Sequence, residues 1–306
     1  MINRIYWMLR GRYAVMRNIW QHPLNYGSRY RAIGDYFLWN IAKIAMRSEH
    51  VVSVGGKFDI ILGRKENYGS AVYSNSIPDF EEMMLLAHFL RDGDQFIDVG
   101  ANVGIYSIWV TTTTGATSVA FEANPETYGK LQRNIRLNQL EHKVLTHNYA
   151  VGEKRGSVNI TTSKGGLDHI VADGVENKQT ALIEMVALDH QEIALNPAAM
   201  KMDVEGYEMN ALIGASNLLS NPTLKVLVIE LQDWTLQRFG TSKAEVVSLL
   251  QSHGFHQSAY DPETRCISER SDLASLNEIF VRDTEAVATR VRDAPKVNLS
   301  FASKSI

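Results

Sequence analysis

The chain has one cysteine, Cys266, in 306 residues. That excludes an internal disulfide and any multi-cysteine metal site, and it suits a reducing compartment, so the expected location is the cytoplasm. No uninterrupted apolar run approaches the ~18 residues a membrane span needs, and no signal-peptide core follows the first basic residues. The nine histidines form no ligand cluster. His253 and His256, on either side of Gly254, read as a helix end, and no metal site is expected. Against these absences stands a hydrophobic content of 45%, ample for a core in one large or two modest domains.

The net charge of −3 is unevenly spread. Residues 1–50 carry eight basic side chains (Arg4, Arg10, Arg12, Arg17, Arg29, Arg31, Lys43, Arg47) against Asp35 and Glu49, which leaves 23 basic and 32 acidic residues, or −9, in the remainder. The same arm holds Tyr6, Trp7, Tyr13, Trp20, Tyr26, Tyr30, Tyr36, Phe37 and Trp39. Basic and aromatic residues mixed in this way occur on membrane-surface helices and on anion-binding faces. The same rings can also pack an arm onto a main domain and leave its arginines in solvent.

The arm reads as helical, followed by a hairpin of Val51–Val54 and Lys57–Leu62 around a two-residue Gly55-Gly56 loop. Pro78–Arg91 reads as a helix with Met83, Met84, Leu86, Ala87 and Leu90 on its apolar face. From Gln95 onward strand and helix alternate. Strands are expected at Gln95–Val99, Val119–Glu122, Lys143–Ala150, Ala199–Val204, Thr223–Glu230, His256–Tyr260 and Glu278–Arg282. Helices fall at Pro125–Leu140, Tyr207–Leu219 and Thr241–His253, and a β-rich excursion runs through Ser157–Thr161 and Ile183–Leu188. Such alternation predicts a mainly parallel sheet covered on both faces. The expected division is an arm with hairpin over 1–75, a main domain over 76–283 and a mobile tail over 284–306, which shows no periodicity.

Asp98-Val99-Gly100-Ala101-Asn102-Val103-Gly104 is a strand ending in an acid, a glycine-bearing loop and the start of a helix. Its glycines permit a tight turn and close approach to a ligand, and the helix amino terminus offers unpaired N–H groups. The spacing is G-x-x-x-G rather than the G-x-G-x-x-G of dinucleotide sites. Glu122 ends the next apolar strand 22 residues after Gly100, where ligands of a doubly wound sheet sit and where it would reach two ribose hydroxyls. A second cluster, Lys201-Met202-Asp203-Val204-Glu205-Gly206-Tyr207-Glu208, falls at the expected end of the fourth parallel strand. Residues two apart share a face, so Lys201 and Asp203 should pair, with Glu205 on the same side. As an internal ion pair they would be structural. As a catalytic set, Asp203, Glu205 and Glu230 are candidate bases at strand ends, with His169 in a Gly165-Gly166 loop that could fold over the site.

Taken in order, Ile97–Ser107, Phe121-Glu122-Ala123-Asn124-Pro125, Asn134–Asn138, Ala150-Val151-Gly152, Leu188-Asp189, Lys201–Glu208 with Leu212–Ala215, and Val228–Leu231 resemble the FkbM family of S-adenosylmethionine-dependent methyltransferases. The resemblance spans about Phe96–Leu231. It implies a Rossmann-like class I methyltransferase fold, a mainly parallel doubly wound α/β sheet with an antiparallel terminal hairpin, beside the helical amino-terminal arm. It implies S-adenosylmethionine as cofactor, held by Asp98, Gly100, Ala101, Asn102, Gly104, Tyr106, Ser107, Glu122, Asn124, Ala150 and Asp203. Asp203 and Glu205 would face the acceptor, with Lys201, Glu230 and His169 as further catalytic candidates. Met202 stands where the family has Ile, a volume-conserving exchange. The implied reaction is methylation of a hydroxyl on a sugar, glycan or glycolipid precursor. A polyketide or other secondary metabolite, or a binding module without chemistry, would use the same fold. No nucleic-acid partner is expected, since an Asn-Pro-Pro-Tyr motif and a catalytic-cysteine motif are missing and the main domain is acidic. Residues 1–50 suit peripheral membrane contact. Nothing in the sequence decides the oligomeric state.

Overall fold

The computed structural model describes residues 15–45, 49–63, 68–162, 168–171, 179–190, 196–270, 276–299 and 304–305. The chain forms two compact units, one ending at Phe80 and including Asn298–Ser305, the other Glu81–Val297.

The first unit contains helix α1 (15–21), α2 (Arg29–Ala45), a hairpin of β1 (His50–Val54) and β2 (Phe58–Leu62), and α3 (Tyr68–Asn75). Gly55 and Gly56 both take positive φ, the conformation that a mirror-image turn demands, and Lys57 N–H donates to Val54 O at 3.0 Å. The strands pair from Val54 opposite Phe58, so the loop includes Lys57 as well as the two glycines. His22, buried against Phe80, has its pKa lowered to about 4, chiefly by burial.

The second unit runs α4 (Phe80–Phe89), β3 (Gln95–Val99), α5 (Ile105–Thr114), β4 (Thr117–Phe121), α6 (Pro125–Leu137), β5 (Val144–His147), β6 (Ala150–Val151), β7 (Gly156–Thr161) and β8 (Thr180–Val186). It continues with β9 (Ala199–Met202), α7 (Glu208–Ile213), α8 (Ser216–Ser220), β10 (Val226–Glu230), α9 (Asp233–Leu236), α10 (Lys243–Ser252), β11 (His256–Asp261), β12 (Cys266–Glu269), β13 (Asn277–Val281) and α11 (Thr284–Arg292). Eight strands make one sheet in the order β12-β11-β13-β10-β9-β3-β4-β5. β10, β9, β3, β4 and β5 are parallel, and β13 inserts antiparallel between β10 and β11. The order reverses at β3, which is where a doubly wound sheet opens a ligand crevice.

Strand alternation assigns the two faces. Ile97, Val99, Met200 and Met202 share a core with Leu212, Leu219 and Leu250 of α7, α8 and α10. On the other face Asp98 meets Ser107 of α5, and Trp109 Nε1 of α5 donates to Met83 O of α4 at 2.7 Å. β6, β7 and β8 form a separate three-stranded sheet, the expected β-rich excursion.

Three expectations are corrected. The single helix expected over Tyr207–Leu219 is two helices: α7 ends at Ile213, and Gly214 packs so closely on Gly152 that a Cβ would lie 2.0 Å from its carbonyl oxygen. α8 restarts under its own cap, with Asn217 N and Leu218 N donating to the Asp189 carboxylate at 2.8 and 3.0 Å. The strand expected over Lys143–Ala150 breaks at Asn148, whose amide donates to the carbonyls of Glu122 and Ala123 and turns the chain away from the large sheet. Much of the tail expected to be mobile over 284–306 is α11, capped by the Asp283 side chain and anchored by buried Val287 and Val291. Two apolar positions four apart are a thin stripe in sequence, yet sufficient once a core is beside them.

Candidate active site

A cleft of about 660 Å³, counted to its open mouth, lies at the carboxyl ends of β3, β4 and β9.

The loop after β3 forms its floor. Gly100 N and Ala101 N both donate to Phe121 O at 2.9 Å, which pulls the turn against β4. Gly100 has φ +76°, and a Cβ there would sit 1.8 Å from Asp203 O. Only glycine allows this approach. Asn102, in the left-handed region at φ +51°, presents its N–H to Glu122 Oε2 at 2.9 Å, and Asn124 N–H reaches Glu122 Oε1 at 2.8 Å. Burial pushes the Glu122 carboxyl up to about 7 against these two donors, so the backbone holds in place an acid that titrates near neutrality.

Asn124 also caps α6, accepting from Glu126 N and Thr127 N, and its amide donates to Asp168 Oδ2 at 2.8 Å. Thr161 Oγ1 donates to the other Asp168 oxygen at 2.8 Å. This network ties the β6–β8 sheet to the cofactor loop side of the cleft, with Ala150, Ile160, His169 and Ile170 completing that wall.

At the other end Asp203, Val204 and Glu205 line the mouth. One oxygen from each of Asp203, Glu205 and Glu230 lies within 4.8 Å of the others. Lys201 Nζ pairs with Asp203 Oδ2 at 3.0 Å and lies 5.0 Å from the Tyr106 ring centroid. Burial raises the Glu230 pKa well above the carboxylate range, and the charge and hydrogen bond of Asp203 raise it further. Glu230 therefore carries a proton at neutral pH and Asp203 has a cation as neighbour. The turn that displays this cluster is strained: Glu205 has φ +55° and Gly206 +107°, and a Cβ at Gly206 would lie 2.4 Å from Thr235 O. Glu208 Oε1 holds the turn by accepting from Val204 N and Gly206 N at 3.2 and 3.0 Å. Burial pushes the Glu208 pKa up to about 7.

Among the expected cofactor residues, Gly100, Asn102, Glu122, Asn124, Ala150 and Asp203 line the cleft, as do Glu205 and His169. Asp98, Ala101, Gly104, Tyr106 and Ser107 do not. Asp98 is fully buried on the α5 face, its Oδ2 accepting from Ser107 N and Oγ at 3.1 and 2.6 Å, so it braces the loop from beneath. Burial raises its pKa, opposed by Lys201 beside it in register. Gly104 is a packing glycine, since a Cβ there would meet Leu131 Cδ1 at 2.6 Å. Lys201 and Glu230 lie behind the lining and act on Asp203. Asp168, Thr127 and Tyr149 line the cleft without having been singled out from the sequence.

Over 151 residues the chain is 26% identical to the hexuronic acid methyltransferase AglP of Haloferax volcanii, a match that takes in 47% of this chain and 59% of that protein. The match therefore leaves about two-fifths of the relative's length unaligned. Among solved structures, the FkbM methyltransferase of Methylobacillus flagellatus aligns with a TM-score of 0.41 and 16% identity over 79% of this chain and 58% of that one. A TehB-like S-adenosylmethionine-dependent methyltransferase of Corynebacterium glutamicum aligns at 0.40 and 10% identity, over 69% and 92%. The model of the methyltransferase FkbM domain matches residues 98–256, from the acid at the end of β3 to the start of β11 and more than half of the sequence, and the chain belongs to the FkbM family of S-adenosylmethionine-dependent methyltransferases.

Proposed function

We propose that this chain methylates a hydroxyl of a sugar, glycan or glycolipid precursor, with Asp203 as the group that takes the hydroxyl proton. The observation carrying this reading is the position of Asp203. Its backbone is pressed onto Gly100 of the cofactor loop, its side chain lines the cleft mouth, and Lys201 and Glu230 flank it from behind.

The cleft fits the cofactor by the chemistry of its donors and acceptors. Each Glu122 oxygen accepts one backbone N–H and keeps a lone pair for a ribose diol. Ala150, Ile160 and Ile170 offer an apolar wall for a flat ring, and Gly100 and Asn102 bring backbone to the floor. When bound, S-adenosylmethionine supplies a methyl group already activated on a sulfonium. The protein has to orient an acceptor oxygen and remove its proton. Asp203 is suited to that task by its place at the cleft mouth, where Lys201 Nζ stands 3.0 Å from one of its carboxylate oxygens. Glu205 and His169, on opposite sides of the cleft, would orient the acceptor.

The sugar assignment draws on the likeness to AglP, a hexuronic acid methyltransferase. A hydroxyl acceptor is favoured over a carboxylate because a carboxylate needs no base and would be repelled by Asp203 and Glu205.

The test is methyl transfer from labelled S-adenosylmethionine to oligosaccharides with and without uronic acids, with an oligoribonucleotide in parallel. Label that enters sugar and survives alkali is the ether expected here. Alkali-labile label would be an ester and would replace the hydroxyl reading, and label in RNA alone would overturn the sugar assignment.

A further inference from the structure

In the first unit α2 is apolar on two opposite sides. Ala32 and Trp39 face inward, and Trp39 stacks on Tyr73 with centroids 4.4 Å apart. Tyr30, Phe37, Leu38 and Ile41, at i, i+7, i+8 and i+11, form the opposite stripe and are 82%, 53%, 64% and 64% exposed. The stripe continues past the helix start. Exposed Trp20 meets Tyr30 edge to face at 5.5 Å, and the Arg29 guanidinium lies over the Trp20 and Tyr26 rings at 5.1 and 4.9 Å. A contiguous exposed apolar face of this kind is an interaction surface rather than the scatter of single residues found on any protein.

Charge selects its occupant. Between residues 15 and 45 the chain carries Arg17, Arg29, Arg31 and Lys43 against Asp35, part of the eight-to-two basic excess of residues 1–50. A second copy docking by the same face would bring like charges together, whereas a bilayer with anionic headgroups complements them. Tyrosine and tryptophan side chains grouped with an arginine suit the headgroup level of a membrane, and Phe37, Leu38 and Ile41 suit the acyl boundary below it. No described helix is long and apolar enough to cross a membrane. We infer that the first unit lies on an anionic phospholipid surface, with α2 in the plane of the membrane and its Tyr30-Phe37-Leu38-Ile41 stripe inserted. This inference does not depend on the methyl-transfer reading.

Co-sedimentation of the full chain with vesicles of phosphatidylcholine alone or mixed with phosphatidylglycerol, at low and high salt, tests it. The expected result is binding to the anionic vesicles that weakens with salt, and at least about tenfold weaker binding by a Leu38→Gln, Ile41→Gln double variant. Both side chains are exposed, so the variant should keep the wild-type unfolding midpoint and the wild-type thermal shift with S-adenosylhomocysteine. An Arg29→Gln variant should lose part of the salt-sensitive component. No binding to anionic vesicles, or equal binding by wild type and double variant, overturns the inference. A dimer in light scattering that the double variant dissolves, without vesicle binding, would assign the face to a second copy instead.

Discussion

Gly100 and Asp203 touch through their backbones: a Cβ on Gly100 would lie 1.8 Å from the Asp203 carbonyl oxygen, and Asp203 N–H donates to Val99 O at 2.9 Å. The loop proposed to cradle the cofactor and the residue proposed as base thus share a packed backbone contact.

Gly100→Ala adds a methyl where backbone already stands, in a residue at φ +76°. The expected cost is at least about 2 kcal/mol, combining backbone strain with overpacking. A fall in the thermal midpoint of roughly 5 °C or more would report it. Cofactor affinity should fall too, and a variant with unchanged midpoint and affinity would refute the packed contact.

As the proposed ribose ligand, Glu122 should set the pH dependence of cofactor binding. A ribose diol donates to the ionised carboxylate, so binding favours the deprotonated form, whose pKa in the free protein is about 7. Affinity for S-adenosylhomocysteine should rise with pH up to about 7 and then level off, with proton release on binding below that point. Calorimetry in two buffers of different ionisation enthalpy measures the release. In Glu122→Gln the dependence should vanish and affinity should drop, because one amide face then points a donor at a backbone N–H.

Asp203→Asn should lower the methyl-transfer rate by roughly 10²–10⁴, the usual reach of a general base, while changing S-adenosylhomocysteine affinity only a few-fold. Glu230→Gln should stay within tenfold of wild type at neutral pH, since the residue it replaces is already neutral there. The two proteins should separate at high pH. The wild-type rate falls as Glu230 gives up its proton beside Asp203, and the Gln variant has no proton to lose. Single-turnover rates against pH distinguish this from simple loss of structure.

Glu208 acts as a positioning residue for the 203–206 turn. Glu208→Gln keeps an oxygen for Val204 N–H and Gly206 N–H, whereas Glu208→Ala leaves both without that acceptor at a cost of about 1–3 kcal/mol. Its folded pKa of about 7 lies above the ordinary 4.5. Between these values the folded chain holds a proton that the unfolded chain has released, so this contribution to stability is full below about pH 4.5 and declines as pH rises to about 7. Denaturant unfolding at several pH values should show a shallower decline for Glu208→Gln. An unaltered pH profile would place the titration elsewhere.

The features decided locally were open to reading from the sequence. An apolar run that ends in Asp98 and another that ends in Glu122, each before a loop and a helix, specify strand ends on one edge of a parallel sheet, and there Glu122 reaches the cleft. The spacing of Lys201 and Asp203 specified their pairing, because period two puts both on one side of the chain. Tertiary structure decided what depends on distant partners. Asp98 shares the period of a core strand, and only the arrival of Ser107 turns its carboxylate into a brace beneath the loop. The start of α8 is held by the distant Asp189 carboxylate, which accepts from Asn217 N–H and Leu218 N–H. Asp168 enters the cleft because Asn124 and Thr161, from two other elements, hold its two oxygens. The raised pKa values of Glu122, Glu208 and Glu230 have burial as their first cause. Local periodicity can name an acid at a strand end, but its protonation depends on how much water the folded chain removes from around it.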